Sequence, residues 1–368
     1  MPVKRLVLLA ALAAPFAQAG AIQSIWQTPA ASATPAAGDY RGLRCPKAIP
    51  PPITQALLVD SKYDQSDPTR STLGQAPSRD SERIHRGAGE YAKMLSLFVD
   101  YYAKAGEARQ AEMALACMDQ WLTAWAQAGA LESRETTKTG SAVRKWTLVA
   151  ISSSILRMQA LSAGRLQLDE RQRAWLDRLA AIVVDEYEPR LAPSFAYFNN
   201  HDYWAAWSLG STGMVLGKQS DIDWSEKVFR RAMQQITPSA SGDYAYLPNE
   251  LARGRLAANY THYALVPLVL VAETLRANGG KVSAEDDRKL GLLANFAARS
   301  ALDPAGLPEL KGQRQEAVPA YKMAWLIPFL GHDPKHPLAR RLYDHERGEV
   351  DGYRQIGGRI KPFYPAVD

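Results

Sequence analysis

The run YAKMLSLFVDYYAKAGEARQAEMALACMDQWLTAWAQAG, from Tyr91 to Gly129, decides the fold class. Met94, Leu95, Phe98, Tyr101 and Tyr102 recur at helical spacing and stop at Gly106; from Ala111, Leu115, Met118, Trp121, Leu122 and Trp125 do the same and stop at Gly129. Apolar residues three and four apart share one helix face, and a glycine just past the last of them suits the left-handed residue that ends a helix. The stretch therefore predicts two helices joined by a short polar turn.

The same punctuation recurs on the C-terminal side. Helical runs are read over Trp146 to Ala163 before Gly164, Asp169 to Tyr187 before Pro189, and from Tyr203 to Gly217. Further runs cover Trp224 to Ile236 before Pro238, Leu256 to Asn278 before Gly279-Gly280, Ala284 to Ala301, and Val318 to Leu330. Strand signals are sparse, no strict repeat is present, and no Gly/Ser or charged linker divides the chain. The expectation is an all-α protein: one domain over residues 20–368, with antiparallel helix pairs in a ring around a central cleft. Residues 20–60, with Pro46, Pro50, Pro51 and Pro52, read as an extended arm. Lys62 to His85 is polar and without period, as in a lid or a disordered segment. From Arg354 the pattern is short and extended, suited to capping one face.

Residues 1–19 read as a secretory signal peptide: Lys4 and Arg5, an apolar run from Leu6 to Phe16, then Ala17-Gln18-Ala19. No stretch reaches the ~20 apolar residues of a membrane span. Loss of Lys4 and Arg5 lowers the formal net charge from +6 to +4. In an oxidising compartment two cysteines make one disulfide the default, Cys45 to Cys117, tying the arm to a helix. Two cysteines without histidines at ligand spacing give no zinc site, and no clustered Lys/Arg run marks a nucleic-acid footprint. Phosphate loops, Gly-x-Ser-x-Gly elbows and His-Glu-x-x-His motifs are absent from the sequence.

The densest chemistry lies in Asn199-Asn200-His201-Asp202-Tyr203-Trp204-Ala205-Ala206-Trp207. Adjacent amide and imidazole side chains need polar partners if buried. Basic residues also sit beside aromatics in Lys62-Tyr63, in Arg144-Lys145-Trp146, and in Arg253 with Tyr260, seven residues apart and so on one face of a continuous helix. Together they suit a groove for an acidic polymer, with cations for carboxylates and aromatic rings for sugar faces. No pair of acids stands out as glycosidase machinery.

Ser61-Lys62-Tyr63 with Ser66-Asp67, Arg144-Lys145-Trp146, Asn199-Asn200-His201-x-Tyr203-Trp204, Leu247-Pro248-Asn249-Glu250-Leu251 and Tyr260-x-x-Tyr263-Ala264-Leu265 resemble, in order, the alginate lyases of polysaccharide lyase family 5. The matches span about residues 45 to 360 and include both cysteines. The resemblance implies a periplasmic, monomeric enzyme with an incomplete α/α toroid fold. It would cleave poly-β-D-mannuronate by β-elimination with no metal or other cofactor, its partner being the anionic polysaccharide. It further implies that Asn200 and Arg253 neutralise the uronate carboxylate, that His201 stabilises the carbanion-like intermediate or assists proton removal, and that Tyr260 is the acid/base. Substrate contacts would come from Lys62, Tyr63, Arg144, Tyr203, Trp204 as a sugar-stacking wall, and Arg354.

The chemistry accounts for these residue types independently. A proton α to a carboxylate leaves only if the carboxylate charge is drawn off. In mannuronate H5 and O4 share one face, so a single phenol can take the first proton and return it to the second. Glucuronate has the same stereochemistry, which keeps a glucuronan or another β-linked polyuronide as an alternative substrate, and an exported, non-catalytic polyuronide-binding protein is the alternative of another class. Tyr260-Thr261-His262-Tyr263 and Lys138-Thr139-Gly140-Ser141 depart from the family pattern near the expected cleft, where subsites would feel them.

Overall fold

The computed structural model describes residues 21–29 and 38–367; the expected signal peptide lies outside them. Its long helices are α1 (Arg79–Ala103), α2 (Ala108–Ala128), α3 (Lys138–Leu161), α4 (Glu170–Tyr187), α5 (Asn200–Leu216) and α6 (Gln219–Gln235). The two-stranded β1 (Thr237–Pro238) and β2 (Ala245–Tyr246) follow, antiparallel, with Thr237 opposite Tyr246. Then come the single turn α7 (Pro248–Leu251), α8 (Ala257–Ala277), α9 (Ala284–Leu302), α10 (Leu326–His332) and α11 (Pro337–His345).

The helices form two layers. Along one layer α1 packs on α3, α3 on α5 and α5 on α8; outside it, α2 spans α1 and α4, α4 leans on α3 and α5, and α6 on α5 and α8. Burial follows this order. Helices α3, α5 and α8 bury side chains on almost every face, whereas α4 and α6 bury one stripe and turn charged residues outward. The indoles of Trp125, Trp175, Trp204, Trp207 and Trp325 fill the space between. Gly129 and Gly217 end α2 and α5 at φ +62° and +69°, as the punctuation predicts.

Several boundaries differ from the sequence reading, for local reasons. Helix α1 begins at Arg79, so only 62–78 of the polar segment lacks regular structure; Ser78 accepts from the Ser81 N–H and caps a first turn with no apolar stripe of its own. Helix α3 begins two turns before Trp146, where Thr137 caps Gly140. Tyr101, expected on the buried face of α1, is exposed. The run from Val318 splits into a 3-10 turn at Ala320–Met323 and α10, and the short, charged α11 carries too few apolar residues to be seen in advance. The C-terminal segment expected to be extended is built of 3-10 turns, and the first, Arg354–Ile356, packs against α1 and α3.

The arm follows α2 and the start of α3. The Pro50 carbonyl accepts from Trp125 Nε1 at 3.1 Å, and the Ile53 carbonyl from Leu131 N at 2.7 Å. At Gly140 a Cβ would lie 1.8 Å from the Leu57 carbonyl, so only glycine lets α3 start this close to the arm. Cys45 and Cys117 are joined, closing a separation of 72 residues.

Candidate functional site

The site begins at the first turn of α5. Asn199 is its cap: its side chain accepts from His201 N at 3.0 Å, while its own N–H donates to Asp202 Oδ2 at 2.8 Å. Arg190 closes on Asp202 with two bonds, Nε to Oδ1 at 2.5 Å and Nη2 to Oδ2 at 2.7 Å. A buried carboxylate with a bidentate guanidinium and a helix N-terminus is satisfied on every side. That arrangement leaves Asn200 and His201 fixed in direction. Asn200 is buried against Glu250 of α7, giving it a backbone N–H at 2.7 Å and Nδ2 at 3.0 and 3.1 Å; its Oδ1 is buried without a partner. Burial pushes the Glu250 carboxyl up to about 7, against the pull of the Asn200 bonds and Arg253.

Three residues after Glu250 comes Arg253, which supplies the second half. It stands before the 3-10 turn Gly254–Leu256, whose first residue has φ +57°, and Tyr260 lies in α8. The two therefore do not share one continuous helix, as the seven-residue spacing suggested; the turn brings the guanidinium over the phenol instead, 3.7 Å from the ring centroid. Tyr260 donates to Tyr63 at 3.0 Å. Arg253 also lies 5.1 Å from the Tyr63 ring centroid, and Lys62 lies 4.8 Å from it. Burial pushes the Tyr260 phenol up, and Arg253 opposes it. For Tyr63 burial acts the same way, but the bond from Tyr260 together with Lys62 and Arg253 outweighs it and draws that phenol below its ordinary value. The pair is thus two phenols sharing a hydrogen bond under a set of cations.

Residues 62–74 form an ordered loop over this pair. Tyr63 bridges Leu73, and Asp67 accepts from the N–H groups of Thr69, Ser71 and Thr72. The loop is tied down from below: Arg253 Nη2 donates to the Arg70 carbonyl and Arg255 Nη2 to the Ser71 carbonyl, each at 2.6 Å. Arg253 Nε is buried without a partner among the described residues.

Other expected contacts lie elsewhere. Arg144 is fully buried, bound to Glu186 and to the Leu131 and Ser133 carbonyls, so it holds the α2–α3 connection to α4 and cannot meet a polymer. Trp204 is fully buried, with Tyr263 at 5.0 Å and Tyr353 at 5.9 Å, and presents no face to a sugar. It supports the wall from behind. Tyr203 is buried too, its hydroxyl on Gln235 at 3.0 Å. Arg354 is exposed, next to Gln355, which bonds the Tyr263 and Tyr353 hydroxyls. The departing residues Thr261 and His262 are buried in the core, His262 between the Ala297 carbonyl and Trp325 Nε1; of the other departure, Ser141 donates to Glu186 at 2.8 Å and Lys138 is exposed at the start of α3.

Three residues here received no role from the sequence. Glu250 entered only as part of the Leu247–Leu251 match, with no role of its own. Lys322 lies 5.7 Å over the Tyr260 ring and 5.0 Å over that of Tyr263, bonds Asn259, and is pushed down to about 8 by burial and by the positive charges of Lys62 and Arg253. Only an adjoining tyrosine marks it in the sequence. Lys145, beside Arg144, reaches the His201 ring and carbonyl.

A carboxamide, an imidazole, a guanidinium, two phenols and ammonium groups are the side-chain types that suit a carboxylate and proton transfer. The family model described as alginate lyase matches residues 58–307. The chain belongs to the alginate lyase family. It is 34% identical to an alginate lyase of Pseudomonas syringae pv. tomato over 326 residues, 86% of this chain and 82% of that one. It is 31% identical to an alginate lyase of Pseudomonas aeruginosa over 367 residues, 95% of each. Among solved structures, alginate lyase A1-III complexed with a tetrasaccharide superposes with a TM-score of 0.67 at 17% identity, covering 90% of this chain and 88% of that one. Alginate lyase A1-III from Sphingomonas species A1 gives 0.61 at 16% identity, over 90% and 89%. The fold is the α/α toroid of these alginate lyases, and the two helical layers described above are its walls.

Proposed function

We propose that this protein is an exported, monomeric polysaccharide lyase that cleaves poly-β-D-mannuronate by syn β-elimination. The observation that carries this reading is the Tyr260 phenol lying under Arg253 and against Tyr63, with Lys62 and Lys322 close by. A binding protein would have no need of a cation-bracketed phenol; proton transfer does.

In this reading the Asn200 carboxamide and the Arg253 guanidinium draw on the uronate carboxylate. Drawing its charge off makes H5 removable. Tyr260, as phenolate, takes H5; the C5 electron pair forms the C4=C5 double bond, the C4–O4 bond breaks, and Tyr260 returns the proton to O4. Atoms and charge balance within substrate and phenol. A phenolate is required first: burial and the Tyr63 contact hold the Tyr260 proton on and Arg253 opposes them, a unit positive charge about 5 Å away favouring the phenolate by about 3 kcal/mol at an effective dielectric of ~20. Lys62 and Tyr63 meet the substrate from the loop, and the loop bonds of Arg253 and Arg255 hold them over it.

Proton NMR of polymannuronate digested by the purified protein tests the reaction. New non-reducing ends should carry an unsaturated 4-deoxy uronate; saturated ends would mean hydrolysis, and no new ends would remove the enzyme reading. The N-terminal sequence of the protein recovered from the periplasm should begin after Ala19, and light scattering should give one chain per particle.

A further inference from the structure

Lys145 is fully buried in α3, yet its ammonium reaches the first turn of α5. Nζ lies 2.9 Å from the His201 carbonyl oxygen and 3.3 Å from His201 Nδ1. Ring faces surround the rest of it, Tyr187 at 4.8 Å and Trp146 at 5.0 Å. The nearest acids are committed elsewhere, Glu186 to Arg144 and Asp202 to Arg190. A buried cation with no carboxylate of its own is costly and is kept only where its donors are used.

Burial pushes the Lys145 amine well below its ordinary value, against the pull of Asp202 and Glu186; in its ammonium form it has three donors and no acceptor. One goes to the His201 carbonyl, one to Nδ1, and the third faces a ring. A nitrogen that accepts from Lys145 carries no proton, so the proton of the neutral imidazole sits on Nε2. The ring is held neutral by burial and by the positive charges of Lys145, Arg190 and Arg253 that face it; Asp202 beside it is already neutralised. Trp146 sets the ring's tilt from the same helix, 5.4 Å away.

We propose that Lys145 is a positioning residue that donates to Nδ1 and the carbonyl of His201, locking the imidazole as its Nε2–H tautomer so that His201 meets substrate as a hydrogen-bond donor and never as a base. The inference rests on the lyase reading and divides its labour: proton removal belongs to Tyr260 alone. A C5-epimeric uronate, whose H5 lies on the opposite face, would then find no base there, which excludes guluronate by chemistry and not by fit.

The test is the long-range proton–nitrogen NMR spectrum of the 15N-labelled mature protein near neutral pH, with the His201 ring identified by its loss in His201→Gln. The wild type should show a protonated Nε2 and a bare, hydrogen-bonded Nδ1. A proton on Nδ1, or a charged ring, overturns the proposal, and this result needs no substrate. In Lys145→Met the ring should lose the single tautomer and kcat should fall by at least about 100-fold with KM within a few-fold, as for a lost transition-state donor. Lys145→Arg, which keeps donors, should recover part of that loss. A folded Lys145→Met with an unchanged tautomer, or with kcat within threefold of the wild type, also overturns it. If the wild type cleaves no polyuronide, the lyase reading fails while the tautomer result still decides the contact between Lys145 and His201.

Discussion

Tyr260 has two opposed properties: burial holds its proton on, and Arg253 at 3.7 Å works to take it off. Tyr260→Phe removes the proposed carrier of H5 to O4, so kcat should drop by at least about 1,000-fold while polymer affinity by calorimetry changes little. Asn200→Ala should lower kcat/KM by about 3 kcal/mol, the cost of a lost oxyanion-type donor. Glu250 gives a pH signature. Its folded carboxyl is raised to about 7 from an ordinary 4.5, so the folded state holds a proton that the unfolded chain has released across that window. Its contribution is present below pH ~4.5 and is lost as pH rises through ~7. Urea titrations should show that loss in the wild type and a flatter profile in Glu250→Gln; equal slopes would show that the carboxyl does not titrate there. At this scale the sequence exposes residue types better than directions. Asn200, His201 and Tyr260 are legible because such side chains are expensive in a core, whereas Arg144 and Lys145 are about 100° apart on one helix. Only the rotation of α3 against α4 and α5 decides that Arg144 serves Glu186 and Lys145 serves His201.

At the scale of elements, the first turn of α5 and the loop at 62–74 hold the site from opposite sides. The loop depends on Arg255 as well as Arg253: Arg255 bonds the Ser71 carbonyl and pairs with Glu316. Arg255→Ala should speed amide exchange in residues 62–74 and raise KM several-fold with a smaller effect on kcat; unchanged exchange would mean that the loop is held by its own Asp67 turn. The disulfide fastens the arm that α3 starts against. Replacing Cys45 and Cys117 by serine should cost about 4 kcal/mol of stability by urea unfolding, from the entropy of the chain it closes. Helix existence was readable from apolar period and glycine stops, and so to within a residue were the starts of α4, α8 and α9; the starts of α1 and α3 were not. Helices α1 and α3 begin with polar turns fixed by Ser78 and Thr137, and these turns bear no apolar stripe. Arg253 and Tyr260 make the same point. Their proximity was foreseen from a helix that is absent, and the Gly254 turn produces it by another route.

For the whole molecule, the ring follows from ordinary rules: helices α3, α5 and α8, apolar on nearly all sides, need neighbours on nearly all sides, and amphipathic partners supply the outer layer. Their order in space comes from short connections, which is why the sequence was enough for the architecture and not for the site's far wall, where Lys322 arrives from 62 residues beyond Tyr260. The net positive charge and the cations about Tyr260 also make a polyanion's approach sensitive to salt. Raising ionic strength from about 0.01 to 0.15 M shortens the Debye length from about 30 to 8 Å, and kcat/KM should fall with it while kcat holds. The central claim is that Tyr260 performs a syn elimination on a mannuronate-type uronate. It is tested most directly by following the absorbance of the conjugated double bond with mannuronate-rich, guluronate-rich and glucuronate polymers, using wild type and Tyr260→Phe side by side. A rise with the mannuronate polymer, much less with the guluronate polymer and none in Tyr260→Phe is the predicted result. No rise on any polymer, or an undiminished rise in Tyr260→Phe, would contradict the account.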